Sequence, residues 1–225
     1  MVYDFHTHTS LSDGVLSPIE LIKRALDNNY GAIALTDHAA TGELSRIIQE
    51  TAEACALARS YWDILAIPGI ELTQVPAQAI AETAKRAKEL GAWIVVIHGE
   101  TIIESVEKGT NLAALHSPHV DILAHPGFLS LEEAKLAATN GIFLEISARK
   151  GHCLTNGHIA SLSQRVGAKL LLNSDAHNEQ DLLTPSLPHA ITHGTGLDDT
   201  ACKQILTENP QALIKGLPLV KSSNN

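Results

Sequence analysis

The chain contains 225 residues, of which 44% are hydrophobic, and 16 Lys and Arg against 25 Asp and Glu give a formal net charge of −9. This composition predicts a compact protein with its own core and excludes an intrinsically disordered or fibrous chain. An acidic balance without clusters of basic residues also argues against a nucleic-acid-binding surface, because affinity for the phosphate backbone depends on neutralising cations.

The start of the chain and its cysteines indicate a cytoplasmic protein. No apolar run approaches the ~20 residues of a membrane span, and the first six residues, MVYDFH, lack the basic and apolar regions of a signal peptide. Cys55, Cys153 and Cys202 show no CxxC spacing, which is typical of reduced thiols rather than of a disulfide framework. We therefore expect no membrane partner, and the sequence leaves the oligomeric state open, a homo-oligomer included.

A repeated unit organises the chain: a short apolar run rich in β-branched residues, a polar cluster, and then a stretch of helical character. Seven such runs end, 21 to 32 residues apart, at Phe5, Leu35, Ile67, Ile97, Ala124, Glu145 and Leu172. This spacing is typical of consecutive βαβ steps, because a crossover between parallel strands needs a dozen or more residues.

Helix start and stop signals lie between the apolar runs. Residues 17–20 (SPIE) combine an N-cap serine, a proline at the first helical position and a glutamate at the third, and residues 130–133 (SLEE) repeat this capping box. The alanine-rich stretch 76–90 ends before Gly91. The alternation predicts an α/β fold with a closed or nearly closed (β/α) barrel, with a doubly wound open sheet as the alternative. We expect a single domain over residues 1–220, followed by a polar tail over 221–225.

Each apolar run is followed by residues that can bind a metal or move a proton. These segments are His6-Thr7-His8, Thr36-Asp37-His38, Gly69-Ile70-Glu71, His98-Gly99-Glu100, His125-Pro126, Glu145-Ile146-Ser147 and Asn173-Ser174-Asp175-Ala176-His177. In a parallel barrel the carboxyl ends of all strands converge on one rim, where active sites lie. Because unpaired carboxylates and clustered imidazoles are costly to bury, this convergence predicts bound divalent cations.

The residue spacing supports a metal site. His6 and His8 are two residues apart on an extended strand, so both rings leave the same face, and Asp175 and His177 repeat that arrangement at the last strand. Mixed nitrogen and oxygen ligands suit Zn²⁺, Mn²⁺ or Fe²⁺ and do not choose among them.

The ordered motifs resemble those of one known family. They are His6-x-His8-Thr9-x-x-Ser12-Asp13-Gly14, Thr36-Asp37-His38, Gly69-Ile70-Glu71, His125-Pro126-Gly127 and Ser174-Asp175-Ala176-His177. Together they look like the motifs of the PHP (polymerase and histidinol phosphatase) domain. The resemblance, which covers residues 6–177, implies a distorted seven-stranded (β/α)7 TIM-like barrel that holds two to three divalent metal ions and hydrolyses phosphoesters.

The resemblance also implies which residues bind each ion. The first ion would take His6, His8, Glu71 and Asp175; the second would share Glu71 and take His98 and His125; the third would take Asp13, His38 and His177. Glu71 and Asp175 would thereby act in catalysis, with a hydroxide between the metals attacking phosphorus in line. All nine positions hold competent ligands, which argues against non-catalytic members of the family such as an RNase P protein subunit.

Basic and histidine residues near the sixth strand are candidates for substrate contact. Arg149 belongs to a basic cluster on the same rim, and because arginine offers phosphate a bidentate fork, we expect it to clamp the substrate, unless it pairs with a rim carboxylate. His152 is a second catalytic candidate, and His158 is a weaker one. Glu100 is expected either to support a metal site or to lie exposed in its loop.

The expected activity is hydrolysis of a small, anionic phosphomonoester or phosphodiester, with histidinol phosphate as one example. An amidohydrolase-type reaction is an alternative, but such barrels often use a lysine on a strand, and Lys169 stands at the wrong end of its strand. A nuclease and an RNA-binding scaffold are further alternatives. The acidic charge weighs against the nuclease, and the complete ligand set weighs against the scaffold.

Overall fold

A computed structural model describes residues 1–218. The predicted polar tail over 221–225 and the last two residues of the predicted domain lie outside this range, so both boundaries stay predictions. No helix within residues 1–218 is both long and apolar enough to cross a membrane.

Within the described residues, eight parallel strands form the centre of the molecule. They are β1 (Val2–Asp4), β2 (Tyr30–Leu35), β3 (His38–Ala39), β4 (Leu65–Leu72), β5 (Ile94–His98), β6 (Ile122–Ala124), β7 (Phe143–Ser147) and β8 (Leu170–Asn173). Seven of them pair in the order β1-β2-β4-β5-β6-β7-β8, and the two-residue β3 pairs with the far end of β4. All seven predicted apolar runs are therefore strands, and the expectation of a seven-stranded barrel rather than an open sheet is confirmed.

The barrel is closed between its first and last strands by the residues that follow them. Thr7 and Ala176 form a parallel bridge, the His8 N–H donates to the Ala176 carbonyl at 2.8 Å, and the Asp175 N–H donates to the His6 carbonyl at 2.9 Å. The closure therefore passes through the same segments that carry the predicted metal ligands.

Helices cover the outside of the barrel. They are α1 (Pro18–Asp27), α2 (Leu44–Tyr61), α3 (Ile80–Glu89), α4 (Thr110–His116), α5 (Leu131–Asn140), α6 (Asn156–Val166), α7 (Leu187–Gly194), α8 (Asp199–Lys203) and α9 (Asn209–Lys215). Both predicted capping boxes form, and in the second the Ser130 N–H donates to Glu133 at 2.8 Å. The predicted helix over 76–90 begins instead with a 3₁₀ turn, Ala77–Ala79, ahead of α3.

Two apolar layers stabilise this arrangement. The barrel interior is filled by side chains that include Phe5, Ile67 and Val96, and it is sealed at one end by Leu213 and Leu217 from the C-terminal segment. A larger layer lies between the strands and the surrounding helices. Because the apolar filling occupies the interior up to the carboxyl ends of the strands, the polar side chains collect above it.

The third predicted strand is longer than expected. Its apolar run was predicted to end at Ile67, but β4 continues through Pro68 and Gly69 to Leu72, so Glu71 lies within the strand and pairs with His38 of β3. Gly69 permits this continuation because a Cβ there would lie 2.8 Å from Thr36 Cγ2 and 3.0 Å from the Ile94 carbonyl oxygen.

Two glycines with similar backbone angles give a matched test of loop packing beside this rim. Gly127 (φ +65°) would place a Cβ 2.0 Å from the Glu100 carbonyl oxygen, whereas Gly141 (φ +72°) faces open space. We expect Gly141→Ala to lower the free energy of unfolding by about 1–2 kcal/mol, the cost of a left-handed alanine. Gly127→Ala should lower the free energy of unfolding by about 1–3 kcal/mol more than this, because the backbone must move to admit the new Cβ. Urea denaturation measures both, and equal losses would contradict the proposed contact.

Candidate metal centre

The nine predicted ligands converge at the carboxyl end of the barrel. Each has a ring nitrogen or carboxylate oxygen within 4.0 Å of another member, so they form one continuous network, called here the histidine cluster: His6, His8, Asp13, His38, Glu71, His98, His125, Asp175 and His177. The structure therefore brings all nine together, while their role as metal ligands stays a prediction.

Glu71 lies at the centre of the histidine cluster. Its carboxylate is fully buried and is surrounded by imidazole nitrogens of five histidines. The nitrogen–oxygen distances are 3.3 Å to His6, 3.7 Å to His8, 2.6 Å to His38, 3.2 Å to His98 and 3.6 Å to His125. Because its two oxygens face different imidazoles, Glu71 has the arrangement required of a carboxylate that bridges two metal ions.

Asp175 forms a second centre beside Glu71. Its Oδ1 lies 3.1 Å from His8 Nε2 and 3.8 Å from His6 Nε2, and its Oδ2 lies 3.9 Å from His125 Nε2. The Asp175 backbone has φ +53°, and His125 has φ +26°. Both residues therefore adopt a left-handed backbone conformation that is rare for residues other than glycine. Such strained conformations are frequent at functional sites.

The third predicted ligand set lies at the more exposed edge of the histidine cluster. Asp13 Oδ2 lies 3.3 Å from His177 Nε2 and 3.7 Å from His38 Nε2. Together with His8 these residues offer ligand atoms within 4.8 Å of one another. Because the Asp13 side chain is 56% exposed, this group is open to solvent, unlike the other two.

The donor set fits bound divalent cations. Within residues 1–218, ten buried side-chain atoms lack a hydrogen-bond partner, and all belong to this region: His6 Nε2, both ring nitrogens of His8, His98 and His125, both oxygens of Glu71, and Glu145 Oε1. Burying such atoms unpaired costs free energy. Nitrogen and oxygen ligands in this mixture suit Zn²⁺, Mn²⁺ or Fe²⁺.

Charge–charge interactions outweigh burial at several groups of the histidine cluster, whereas burial prevails at His8 and lowers the pKa of its ring to about 4. Burial disfavours the protonated form of His6, but the adjacent carboxylates, Glu71 first among them, raise the pKa of its ring well above the ordinary value. Burial likewise disfavours ionised Glu71, yet the neighbouring imidazoles hold its pKa well below the usual range. The pKa of His38 is raised to about 9, since Glu71 and Asp13 outweigh its burial. Glu71 therefore stays ionised, and His6 and His38 hold protons that a cation would displace.

Glu145 supports the histidine cluster and was not predicted to do so. Its Oε2 accepts a hydrogen bond from His6 Nδ1 at 2.8 Å and one from Asn173 Nδ2 at 2.9 Å. With Nδ1 carrying the proton, His6 Nε2 is left free to face Glu71 and Asp175. The signal was present in the sequence, because Glu145 belongs to one of the seven polar segments at the ends of the apolar runs.

Asp37 organises the loop that carries Asp13. Its carboxylate accepts hydrogen bonds from the Thr9 N–H (2.8 Å), the Thr9 hydroxyl (2.8 Å) and the Ser12 hydroxyl (2.6 Å). Asp37 is thus occupied by the loop that follows β1 and contributes by fixing the backbone on which Asp13 stands.

The two other catalytic candidates lie against Asp175. Arg149 Nη1 donates to the Asp175 carbonyl at 3.1 Å, and its Nε lies 3.6 Å from Asp175 Oδ2, so the pairing with a rim carboxylate occurs. His152 Nε2 lies 3.8 Å from the same oxygen, and its ring stacks on His125 with centroids 4.0 Å apart. His152 is thereby placed among the ligands, with Thr101 Oγ1 2.7 Å from its Nδ1.

The structure places the weaker candidates elsewhere. His158 Nε2 lies 2.7 Å from the Leu129 carbonyl oxygen, with the ring exposed. Glu100 accepts the N–H groups of Gly109 and Asn111 at 2.9 and 3.0 Å, so it is neither a ligand nor a freely exposed acid. It fixes the start of α4.

Glu104 is a residue at the histidine cluster that sequence reasoning missed. It lies in the loop after β5, is 48% exposed, and reaches within 3.1 Å of His98 Nε2 and 3.5 Å of His152 Nε2. No local pattern distinguishes it from other loop acids, because its contacts depend on the path of the loop.

Comparison with known proteins identifies relatives over most of the chain. The model of the PHP domain family matches residues 4–154. An uncharacterized protein of Methanocaldococcus jannaschii is 44% identical over 216 residues, which cover 96% of this chain and 99% of that protein. Ribonuclease P protein component 3 of Methanosarcina mazei is 28% identical (95% of this chain, 88% of that protein). A probable phosphatase of Thermoanaerobacter sp. is 27% identical (81% of each chain).

Solved structures share the fold at low sequence identity. A chain in the cryo-EM structure of archaeal ribonuclease P with mature tRNA superposes with a TM-score of 0.72 at 16% identity, covering 98% of this chain and 94% of that one. A Xaa-Pro dipeptidase superposes with a TM-score of 0.61 at 12% identity, covering 95% and 75%. These likenesses concern the barrel alone.

The hydrogen bond from His6 to Glu145 gives a test of the metal centre. Glu145→Gln keeps the side chain's shape but removes the charge that orients the His6 ring, so we expect affinity for Mn²⁺ or Zn²⁺ to fall about 10–100-fold. Chelator competition measures the dissociation constant. Glu132→Gln, on the exposed face of α5, is the matched control. Unchanged affinity in Glu145→Gln would contradict this role.

Proposed function

This chain belongs to the PHP domain family, and we propose that it is a metal-dependent phosphoesterase that hydrolyses a small, anionic phosphorylated substrate. One observation carries the proposal: the nine predicted ligands converge around Glu71, and ligand atoms of Glu71, His6, His8, His98 and His125 are buried there without hydrogen-bond partners. For stability alone, an apolar core would serve better than a buried set of charged and polar side chains.

The residues divide among the ions as the family resemblance implies. His6, His8, Glu71 and Asp175 would hold one ion, Glu71 with His98 and His125 a second, and Asp13, His38 and His177 a third. Divalent ions bound there supply acidified water and neutralise charge that develops on phosphoryl oxygens. Hydrolysis breaks the bond between phosphorus and the ester oxygen; water contributes its hydroxyl group to phosphorus and its proton to the departing alcohol.

The protein groups position the parts of this reaction. Ionised Glu71 and Asp175 keep the ligand set anionic near neutral pH, since charge pairing lowers the pKa of each. Glu145 fixes the orientation of His6. Arg149, with its side chain 32% exposed beside Asp175, can present a guanidinium N–H to a phosphoryl oxygen at the mouth of the site.

The acidic charge of the chain is compatible with an anionic substrate. Three divalent ions would carry six positive charges, against a formal net charge of −9. The positive charge of the ions would be concentrated in one cleft, whose low-dielectric walls focus the positive potential. The substrate therefore meets a positive site on an otherwise negative protein.

Amide hydrolysis is disfavoured by the position of Lys169. The residue directly precedes β8 at the amino end of the barrel, where its ammonium group lies 5.9 Å from the Phe143 ring centroid. It therefore cannot reach the histidine cluster to serve as a modified lysine ligand. An RNA-associated scaffold remains the second candidate, because ribonuclease P protein component 3 is similar over 95% of this chain.

Metal analysis followed by a substrate panel tests the proposal. We expect chelated protein to regain hydrolysis of a phosphomonoester or phosphodiester when Mn²⁺, Zn²⁺ or Fe²⁺ is added. His8→Ala and Asp175→Asn should lose bound metal, and turnover should fall by more than the roughly 10–100-fold that loss of a supporting partner costs. Full activity with bound metal in either variant would refute the ligand assignment. A metal-loaded protein that is inactive on every phosphoester but binds RNA would favour the scaffold.

Arg149 provides a separate test of substrate binding. Arg149→Ala should lower kcat/KM about 10–100-fold, as loss of a charged donor to the transition state does, while metal content stays unchanged. Arg149→Lys should restore little, because lysine lacks the bidentate fork. Arg46→Ala, an exposed change on α2, serves as the control. An unchanged kcat/KM would remove Arg149 from the site.

A further inference from the structure

His152 lies beside the histidine cluster but is not one of its nine predicted ligands. Its side chain is only 2% exposed, and it begins a 3₁₀ turn, His152–Thr155, a few residues after β7. An imidazole that is removed from water needs a partner for each of its two ring nitrogens. The surroundings of these two nitrogens therefore indicate what the side chain does.

The backbone before His152 brings its ring against the loop that follows β5. Gly151 has φ +93°, and a Cβ there would lie 2.6 Å from Ile103 Cδ1, so a larger residue would force the two loops apart. Thr101, from the same loop as Ile103, places its Oγ1 2.7 Å from His152 Nδ1. This hydrogen bond occupies Nδ1 and fixes the orientation of the ring, as partners of ligand histidines do at metal sites.

The other ring nitrogen, Nε2, faces two carboxylates without a hydrogen bond to either. Glu104 Oε1 lies 3.5 Å away and Asp175 Oδ2 lies 3.8 Å away, whereas an N–H···O hydrogen bond spans roughly 2.7–3.2 Å. The other oxygen of Glu104 lies closer to a different ring, at 3.1 Å from His98 Nε2. Nε2 of His152 is therefore directed at anionic oxygens that do not satisfy it.

His125 converges on the same oxygen of Asp175. Its Nε2 lies 3.9 Å from Asp175 Oδ2, and its ring stacks on His152 with centroids 4.0 Å apart and planes at 18°. Ligand atoms of these three residues all lie within 4.8 Å of one another. Two ligand atoms ~2.1 Å from one ion lie roughly 3.0–3.4 Å apart when they subtend about 90–110°. The separations of 3.8 and 3.9 Å are therefore too long for hydrogen bonds but close to the spacing of ligands.

We propose that His152 Nε2 is a further ligand of the second ion, and that Thr101 is the positioning residue that orients it. The family resemblance gives this ion three protein ligands, Glu71, His98 and His125, and gives the first ion four. His152 supplies the fourth. Ligation uses the lone pair of Nε2, so the side chain predicted to act in catalysis holds the ion instead. This inference rests on the metal centre of the proposed function and not on the reaction.

Two conservative variants separate ligation from a structural role. In His152→Asn the amide takes the place of Nδ1 and keeps the contact with Thr101, whereas in His152→Gln the amide reaches towards the place of Nε2 as a weaker ligand. We expect His152→Ala and His152→Asn to lower the affinity for one Mn²⁺ or Zn²⁺ ion by more than the roughly 10–100-fold that loss of a supporting partner costs. His152→Gln should lose less. Calorimetric titration of the chelated protein measures these affinities, and His189→Ala, an exposed change on α7, is the control.

Thr101→Val tests the positioning role, because it keeps the shape of the side chain and removes the hydroxyl group beside His152 Nδ1. We expect affinity for the same ion to fall about 10–100-fold, with the other ions unaffected. The visible absorption of Co²⁺-loaded protein depends on the number of ligands around the ion. Its bands should therefore change in His152→Ala and stay unchanged in His189→Ala.

Unchanged affinity for every ion in His152→Ala would overturn the assignment. Wild-type affinity in His152→Asn would overturn it too, because asparagine preserves only the contact with Thr101. If His152→Ala fails to fold, His152→Asn and Thr101→Val decide by the same criterion. An ion bound through His152 in a protein that hydrolyses no phosphoester would refute the phosphoesterase and retain this ligand. Hydrolysis by a protein whose ion affinities do not depend on His152 would overturn this ligand and retain the phosphoesterase.

Discussion

The burial of the Glu71 carboxylate is the constraint on which the rest of the structure depends. A carboxylate removed from water must be compensated, and here the imidazoles of five histidines at the ends of four strands provide the surroundings. Imidazoles alone satisfy it poorly, because each one protonated for Glu71 repels its neighbours. Divalent cations resolve both problems, since they attract the carboxylate and the neutral rings together. The strand order and loop paths bring these groups together, so the fold carries part of the cost of assembling the site.

Fold and site are coupled through the closure of the barrel. The hydrogen bonds that connect the first and last strands belong to His6, His8, Asp175 and Ala176, so the backbone that closes the barrel also sets the distances between ligands. Asp175 is held at positive φ within this closure, and strain of that kind persists only when the surroundings over-determine it. The apolar filling of the barrel below supplies that stabilisation. A change that loosens the closure would therefore disturb the geometry of the histidine cluster before it disturbed the outer helices.

The sequence was sufficient for the features that depend on local patterns. Apolar runs at regular spacing located the seven barrel strands, and polar residues directly after them located the site, because parallel strands must end at one rim. Pro68 and Gly69 usually interrupt strands, so they concealed the continuation of β4. That continuation depends on the close approach of Gly69 to Thr36 and Ile94. The support of His6 by Glu145, the stacking of His152 on His125 and the reach of Glu104 also escaped prediction. Each of these joins residues far apart in the chain, and no periodicity encodes such a contact.

The distribution of charge bears on whether the substrate is small or a polymer. A long nucleic acid extends well beyond the histidine cluster and would lie along a surface whose formal charge is strongly negative, with few cations to neutralise its phosphates. A small ester would place its single phosphate at the histidine cluster and would need no such extended surface. Similarity to a ribonuclease P component extends over nearly the whole chain, but shared fold does not fix function, which depends on the groups at the site. The groups here, a complete set of predicted metal ligands on an acidic chain, favour chemistry on a small molecule.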